Sequence, residues 1–403
     1  MLVVGAGLAG LHTATLLAER GRDVLLVDRR TRLTEGIRTT GIFVRRTLED
    51  FALPARCLGP PIRRVLLYPP GLRDPVVLES PRDEFRVADM PELYLAAAHA
   101  AVRAGVRLVL GTRYVGRRLD GIELAGAGPA RVGARFVVGA DGARSRVARD
   151  LGLDRNRQLL VGAEEVFAVA GGAAVAGGAA MAGGAEPPTF HCVLDPRLAP
   201  GYLAWVVNDG RHAHVGVAGY AERFRHGLRH ALDSFAALAP GVPLGRPERV
   251  ERRGGPIPVG GLLRRIACAG GLIVGDAAGA VSPLTAGGLD PCLRLSELAA
   301  CVLDDALRTG RPAALEHYDG ASLRARFRGR LLLRRAFAEM RTPGVVSAAF
   351  TMLRTPFGRA AAARILFGDG SFPDINLQPV GPDRGEQAQR LANEVIPLVR
   401  HQS

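Results

Sequence analysis

The chain has no lysine: all 53 basic side chains in its 403 residues are arginine. That absence removes Schiff-base catalysis and lysine general bases from consideration. Aromatic residues make up only 5% of the sequence, too few for a platform on which nucleic-acid bases stack. The formal charge of +14 therefore brings no nucleic-acid partner with it; arginine used throughout, beside abundant Ala and Gly, reflects a GC-rich coding sequence. No apolar run approaches the roughly 18–20 residues of a membrane-spanning helix. The apolar start is consumed by a glycine motif, so no signal peptide is read there. Cysteine is sparse: Cys57, Cys192, Cys268, Cys292 and Cys301 are scattered, odd in number and lack a C-x-x-C pair. They read as free thiols of a cytoplasmic protein, without a disulfide frame or metal site. His212-x-His214 puts two imidazoles on one strand face, but no third ligand is evident nearby, so a histidine pair is favoured over a metal site. No Ser-His-Asp set or paired carboxylates stand out, and no side chain is marked as catalytic.

What is present starts at the first residue. Met1–Gly10 reads as a strand running into Gly5-Ala6-Gly7-Leu8-Ala9-Gly10, followed by a helix and a second strand, Val24–Val27, that ends in Asp28. Gly5 permits a tight turn, Gly7 lets the backbone approach a pyrophosphate, and Gly10 lets helix and sheet pack closely. The helix N-terminus supplies free N–H groups and the positive end of a dipole to phosphate. Asp28, 18 residues past Gly10, stands where a carboxylate accepts hydrogen bonds from an adenosine ribose.

Further along, Ala96–Ala104 reads as helix, Val106–Leu110 as strand, and Arg135–Ala140 as a strand entering Asp141-Gly142. Residues 160–250 alternate apolar and polar positions, as in Tyr202–Val207 and His212–Val217, predicting antiparallel strands. Residues 170–187 repeat Ala-Gly-Gly-Ala in units of about six, too few for a solenoid, and read as a loop expanded within a hairpin. Residues 272–308 return to strand, turn and long helix. The turns at Gly10 and Gly275 lie about 265 residues apart, and both look like cofactor turns. The economical architecture is α/β: a Rossmann-like cofactor domain (1–160 and 251–310) with an inserted antiparallel β-sheet substrate domain (161–250) and a helical C-terminal region (311–403).

Two more motifs complete the set: Gly139-Ala140-Asp141-Gly142-Ala143-Arg144-Ser145-Arg146-Val147, and Gly275-Asp276-Ala277-Ala278-Gly279 followed by Ser282-Pro283-Leu284-Thr285-Ala286-Gly287-Gly288-Leu289. With the N-terminal glycines they resemble the FAD-dependent oxidoreductases built like para-hydroxybenzoate hydroxylase. Within that group the chain looks most like the geranylgeranyl reductase family. Tyr202-Leu203-Ala204-Trp205, His214-Val215-Gly216-Val217, Pro283-Leu284-Thr285 and Ser296–Ala300 are similar to that family's stretches, and the halogenase Trp-x-Trp segment is missing because Trp205 is the only tryptophan.

The resemblance implies FAD contacts from Gly5, Gly7, Leu8, Ala9, Gly10, Asp28, Arg29, Val115, Asp141, Gly142, Gly275, Asp276, Pro283, Ala286, Gly287, Gly288 and Leu289. Asp276 would accept hydroxyl hydrogen bonds near the pyrophosphate and ribityl chain. Asp141-Gly142 would line the groove where reduced nicotinamide approaches. The helix beginning near Leu289 would aim its N-terminus at the flavin edge that is negative when reduced. Pro291 falls in its first turn, where a missing N–H costs little. Tyr202 and Trp205 would line an apolar substrate pocket.

The chain also departs from the family. Ala286-Gly287-Gly288 stands for Gly-Glu-Gly. Met90 stands where an FAD-contacting arginine is common, with Arg86 as a substitute. The segment Gly36–Ile42 lacks the cysteine that some members carry near the flavin. No separate nicotinamide fold is visible, so NAD(P)H, the expected electron donor, would dock transiently.

The leading expectation is an FAD enzyme taking electrons from NAD(P)H and reducing a double bond of a hydrophobic small molecule. A monooxygenase of a polyketide or terpenoid on the same scaffold is the alternative, and a redox-neutral or non-catalytic flavoprotein ranks last. Ser322–Arg341 is a cationic segment with helical apolar spacing. It reads first as a helix packing Leu and Phe inward with its arginines in water, and second as contact with an anionic membrane or a prenyl diphosphate. Oligomeric state has no readable signature.

Overall fold

The computed structural model describes residues 1–168, 187–240, 248–325 and 327–368. The Ala–Gly repeat over residues 170–186 and the last part of the C-terminal region, residues 369–403, lie outside these. Leu2–Val4 forms the first strand, buried at every position. It pairs in parallel with Leu25–Val27 on one side and Val137–Gly139 on the other. The full six-stranded order is Ala267–Cys268, Gly271–Ile273, Val137–Gly139, Leu2–Val4, Leu25–Val27, Arg107–Val109, parallel except for the first pair. The central strands Leu2–Val4 and Leu25–Val27 are uninterrupted Val/Leu runs because both faces are covered. Helices Leu8–Glu19, Met90–Arg103 and Leu289–Thr309 pack on one face. A three-stranded sheet contributing Tyr114, Ile122 and Leu124 packs on the other.

The strand order reverses at Leu2–Val4, and doubly wound sheets bind ligands beyond the carboxyl ends of strands at such a point. Three neighbouring strands end there in the three motifs: Leu2–Val4 in Gly5, Val137–Gly139 in Ala140-Asp141, and Gly271–Ile273 in Val274-Gly275. The ladder continues into the turns, with Gly5 N–H donating to Val27 O at 2.8 Å and Ala140 N–H to Val4 O at 2.8 Å.

The helix expected at Ala96–Ala104 begins earlier, at Met90. Asp89 caps it by accepting the Glu92 amide at 3.2 Å, and Pro91 sits in the first turn, where it loses no helical hydrogen bond. That cap, rather than the alanine run, sets the start.

The second sheet has seven strands in the order Arg249–Pro258, Leu159–Ala168, His212–Gly219, Ala204–Asn208, Thr189–Val193, Arg64–Tyr68, Val76–Glu79. It is antiparallel except where Thr189–Val193 meets Arg64–Tyr68. Two of its strands thus come from residues 64–79, far upstream of 161–250. One face packs against helix Gly227–Ala236 through Leu232 and Phe235. The other carries Trp205, Cys192 and Val207 and is covered in part by strands Ile42–Val44 and Phe85–Val87 and helices Pro343–Leu353 and Pro356–Leu366.

The favoured reading of Ser322–Arg341 is corrected. The segment forms two helices, Gly320–Ala325 and Arg328–Ala338. Phe327 is buried as expected, but Leu332 and Leu333 are exposed while Arg334 is buried. Arg334 donates to Gly201 O beneath the rings of Tyr202, Tyr220 and Phe337. Arg324 donates to Gly260 O and Leu262 O, and Arg330 to Ser282 Oγ. Guanidinium groups can turn inward where carbonyls and aromatic faces receive them. Among the described residues, no helix is long and apolar enough to cross a membrane.

Candidate functional site

The glycines of the first motif have three distinct surroundings. A Cβ on Gly5, whose φ is +104°, would lie 2.3 Å from Ala140 O, so the turn admits no side chain. A Cβ on Gly10 would lie 1.8 Å from Gly5 O. A Cβ on Gly7 would meet no protein atom within 4 Å, although Gly7 caps the N-terminus of helix Leu8–Glu19. Space kept open at a helix N-terminus, between two positions where backbone is tightly packed, fits a pyrophosphate. Leu8 and Ala9 are buried in that first turn. Gly275 closes on the same place, since its own Cβ would strike Ala9 Cβ at 2.8 Å.

Asp28 follows the second strand and is buried. Its Oδ2 accepts the Ala6 amide at 2.6 Å, and Oδ1 accepts the Arg30 amide at 2.8 Å. The Arg30 guanidinium then returns to both carboxylate oxygens at 3.1 Å and to Ala6 O at 2.9 Å. Arg29, expected to contact FAD, is exposed, while its neighbour Arg30 folds back on Asp28. That fold-back is an Asx turn, in which an Asp side chain binds the amide two residues on. Val115 is half-buried in strand Thr112–Arg118, whose Thr112 donates its amide to Asp28 O at 2.8 Å.

The second motif is held by its own carboxylate. Asp141 Oδ1 accepts the Ser145 hydroxyl at 2.5 Å, and Oδ2 accepts the amides of Arg146 at 2.7 Å and Val147 at 3.2 Å. Burial raises Asp141 against the lowering effect of these hydrogen bonds. Asp141 therefore shapes the turn and caps the helix Arg146–Asp150. Gly142, at φ +85°, has open space where a Cβ would stand.

Asp276 differs. It is partly reachable by solvent yet closely surrounded, and its carboxylate makes no hydrogen bond among the described residues. Burial pushes it up to about 6, with the Arg38 guanidinium pulling the other way. An acceptor set among protein atoms without a donor fits the hydroxyls of a ligand. Its backbone is fixed by Asn156, whose side-chain amide donates to Asp276 O at 2.8 Å and Ala143 O at 3.0 Å. Asn156 joins the second and third motifs and carried no signal in the sequence.

Pro283 is buried at the head of the next loop. Ala286 takes a left-handed φ of +52°, and the Ser282 amide donates to Gly287 O at 2.9 Å. Gly287 is exposed, and Gly288 leads into helix Leu289–Thr309, with its absent Cβ facing Asp276. Tyr202, in the bend before strand Ala204–Asn208, donates its hydroxyl to Thr285 O at 2.5 Å. Trp205 is half-buried with Leu160, Ile257 and Ala286 in one apolar cluster, so the second sheet meets the glycine loop here. Arg86, the suggested substitute for a cofactor arginine, donates to Gly59 O at 2.9 Å.

Two sheets meeting across glycine loops at a topological switch point define a two-layer protein that binds a dinucleotide cofactor. Comparisons extend this. A model of NAD(P)-binding Rossmann-like domains matches residues 3–57. Digeranylgeranylglycerophospholipid reductase 1 of Methanopyrus kandleri is 31% identical over 319 residues, 76% of this chain and 80% of the relative. Menaquinone reductase of Mycobacterium tuberculosis is 30% identical over 323 residues, 75% and 76% of the two chains. A geranylgeranyl bacteriochlorophyll reductase-like protein of Thermoplasma acidophilum shares the fold, with a TM-score of 0.75 at 19% identity over 91% of this chain and 96% of that one. The chain belongs to the geranylgeranyl reductase family of FAD-dependent oxidoreductases.

Proposed function

We propose that this enzyme saturates carbon–carbon double bonds in the isoprenoid chain of a lipid, with NAD(P)H as the source of electrons. The observation that carries the reading is the apolar cluster of Trp205, Leu160, Ile257 and Ala286, which puts a greasy wall directly on the cofactor loop. The names of the two relatives, a digeranylgeranyl phospholipid reductase and a menaquinone reductase, point to the same chemical class.

FAD, when bound, supplies two-electron transfer between donor and substrate. The protein's part is binding, orientation and exclusion of water. Gly7 and the amides behind it receive the pyrophosphate, Asp28 the ribose, and Asp276 the ribityl hydroxyls. The N-terminus of helix Leu289–Thr309 favours the anionic, reduced ring system through its dipole. Trp205, Leu160 and Ile257 keep water from the reacting bond. The same reading assigns residues 1–160 and 251–310 to the cofactor and 161–250 to the substrate, except that strands Arg64–Tyr68 and Val76–Glu79 and the whole of Arg249–Pro258 join the substrate side through their pairing.

We also assign the C-terminal helices to contact with an anionic lipid surface. Leu332, Val345, Met352 and Phe357 are exposed on them, beside the exposed Arg328, Arg335 and Arg359. Apolar side chains among arginines suit insertion beneath acidic headgroups.

The deciding experiment is anaerobic turnover of a geranylgeranyl lipid with NADH or NADPH, followed by mass spectrometry. Gain of two hydrogens per double bond supports the reading. Product that forms only with oxygen, and contains an oxygen atom from it, overturns it in favour of monooxygenation.

A further inference from the structure

The second sheet buries a chain of ionisable groups that cofactor binding does not use. Glu164 and His214 are 3% and 1% exposed and stand on adjacent strands. His214 Nδ1 lies 3.1 Å from Glu164 Oε1, and its Nε2 lies 3.1 Å from Asp209 Oδ2. The same Asp209 oxygen meets Nδ1 of His212 at 3.2 Å, and the His212 side chain is one-third exposed. At the inner end, Glu164 Oε2 accepts the hydroxyl of Thr40 and the Trp205 indole N–H at 3.2 Å. Polar contacts are thus continuous from a solvent-reached imidazole to the tryptophan beside the Ala286 loop.

The surroundings suit proton traffic. Arg253, from strand Arg249–Pro258, faces Glu164 at 3.7 Å and is itself held by Glu251 and by Thr39 O. Arg211, in the loop before His212, is exposed and approaches Asp89. Burial, the largest influence on His214, lowers it, but hydrogen bonds to Asp209 and Glu164 with their charges raise it to about 9. The imidazole therefore carries both its protons at neutral pH. Carboxylate–imidazole–carboxylate is costly to bury, and an apolar replacement of similar shape would stabilise the sheet as well. The segment Gly36–Ile42 carries no thiol, and Thr40 is the hydroxyl it turns toward Glu164.

We propose that Asp209, His214, Glu164 and Thr40 form the proton route of double-bond reduction, delivering a solvent proton to the substrate carbon beside Trp205. This inference rests on the reduction reading above. Saturating C=C adds a hydride equivalent to one carbon and a proton to the other. The reduced cofactor is the reductant, and the hydride pair and the π pair become the two new C–H bonds. The imidazolium of His214 first passes its Nδ1 proton to the Glu164 carboxylate. The carboxyl group so formed turns to donate to Thr40 Oγ1 as the Thr40 proton moves to the substrate carbon, so Glu164 returns to carboxylate and no alkoxide remains. Solvent then restores the proton of His214 by way of His212 and Asp209. Thr40 is the residue that would touch substrate; Glu164, His214 and Asp209 act through it.

The test separates half-reactions in the holoenzyme. Dithionite-reduced protein is mixed anaerobically with geranylgeraniol, and reoxidation is followed in H2O and D2O. Glu164→Gln and Thr40→Val should slow reoxidation on the order of 10²-fold or more, as loss of a positioned proton donor does. Thr40→Ser should recover most of the rate that valine loses. FAD affinity and reduction by dithionite should stay within about twofold, since those steps do not use the route. In cofactor-free protein, ¹⁵N NMR should show the His214 imidazole doubly protonated at pH 8, and singly protonated there in Glu164→Gln. Equal reoxidation rates in wild type and Glu164→Gln would overturn the route while leaving the reduction reading intact. Parallel loss of FAD affinity and both half-reactions would also overturn it, in favour of a structural role. Wild-type protein that leaves the alkene untouched would overturn the reduction reading itself.

Discussion

Asn156 and Asp276, 120 positions apart, are joined by a 2.8 Å hydrogen bond from the Asn156 side-chain amide to the Asp276 carbonyl, while the same amide holds Ala143 O at 3.0 Å. One side chain thereby locks two cofactor turns on neighbouring strands. Asn156→Ala removes both bonds and leaves two carbonyls short of donors. The expected loss is roughly 1–3 kcal/mol of unfolding free energy, read from urea denaturation of the cofactor-free protein, together with weaker FAD binding.

The three glycines of the first motif should separate fold from function. Gly10→Ala drives a methyl into Gly5 O, and Gly5→Ala adds a strained φ, so both should express poorly or melt well below wild type. Gly7→Ala meets no protein atom within 4 Å, so its cofactor-free melting temperature should be unchanged. FAD titration of that variant should nevertheless show affinity at least about tenfold weaker, as the methyl occupies space reserved for phosphate. Unaltered affinity in Gly7→Ala would remove the pyrophosphate from this turn.

Asp276 trades stability for binding. Its value is raised to about 6 by burial, so the folded chain holds that proton more tightly than the unfolded chain does. Stability from this group is greatest in acid and is lost as pH rises from about 4 through 6. Asp276→Asn should therefore raise the melting temperature of the cofactor-free protein at pH 7–8. The same change should weaken FAD binding, because one charged acceptor is lost. Wild-type affinity should itself fall as pH drops through 6, and the variant's should stay flat across that interval.

The Glu164–His214–Asp209 chain gives stability its own pH window. His214 is raised from about 6.5 to about 9, so its contribution is complete below 6.5 and lost as pH climbs through 9. Burial works against Glu164 and Asp209 as anions, but hydrogen bonds from His214 win and hold both below the usual carboxylate range. Their contributions are present above roughly pH 4 and fade on acidification. Melting temperature should fall as pH rises from about 6.5 to 9 and level off above that. In His214→Gln that alkaline drop should shrink; a drop of unchanged size would detach it from this imidazole.

Contact with lipid is tested on Phe357, the most exposed large apolar side chain of the C-terminal helices at 81%. Phe357→Asp should reduce cosedimentation with phosphatidylglycerol vesicles several-fold, while leaving FAD absorbance and melting temperature within error of wild type. Retained cosedimentation would place the lipid contact elsewhere.

The glycine turns were legible in the sequence because their geometry is local. Gly5, Gly7 and Gly10 are required by φ and by backbone clearance within one strand–turn–helix unit, and the acid closing the next strand follows from the same unit. The return of Arg30 onto Asp28 had no signal in the sequence because only the Asx turn at Asp28 decides which arginine folds back. The start of the helix at Met90 was missed because its cap, Asp89, lies outside the alanine-rich run that carries the periodicity. Leu332 and Arg334 were placed the wrong way round because a helical pattern treats guanidinium as solvent-seeking, whereas carbonyls and rings from distant segments receive it here.

The amino-acid sequence alone determined the cofactor class, because phosphate-binding turns depend on residue types at fixed short spacings. It also determined that the thiol some family members carry is absent from Gly36–Ile42. Tertiary structure decided which side chains meet across long separations: Thr40 with Glu164, Glu164 with His214, Tyr202 with the carbonyl of Thr285. The meeting of Glu164 with His214 follows from strand order and register in a sheet whose members come from residues 64–79 and 159–258, and Thr40, Tyr202 and Thr285 are brought in by connecting segments. A one-residue slip in any of those ladders would turn Glu164 or His214 to the opposite face, so no local pattern could have announced them.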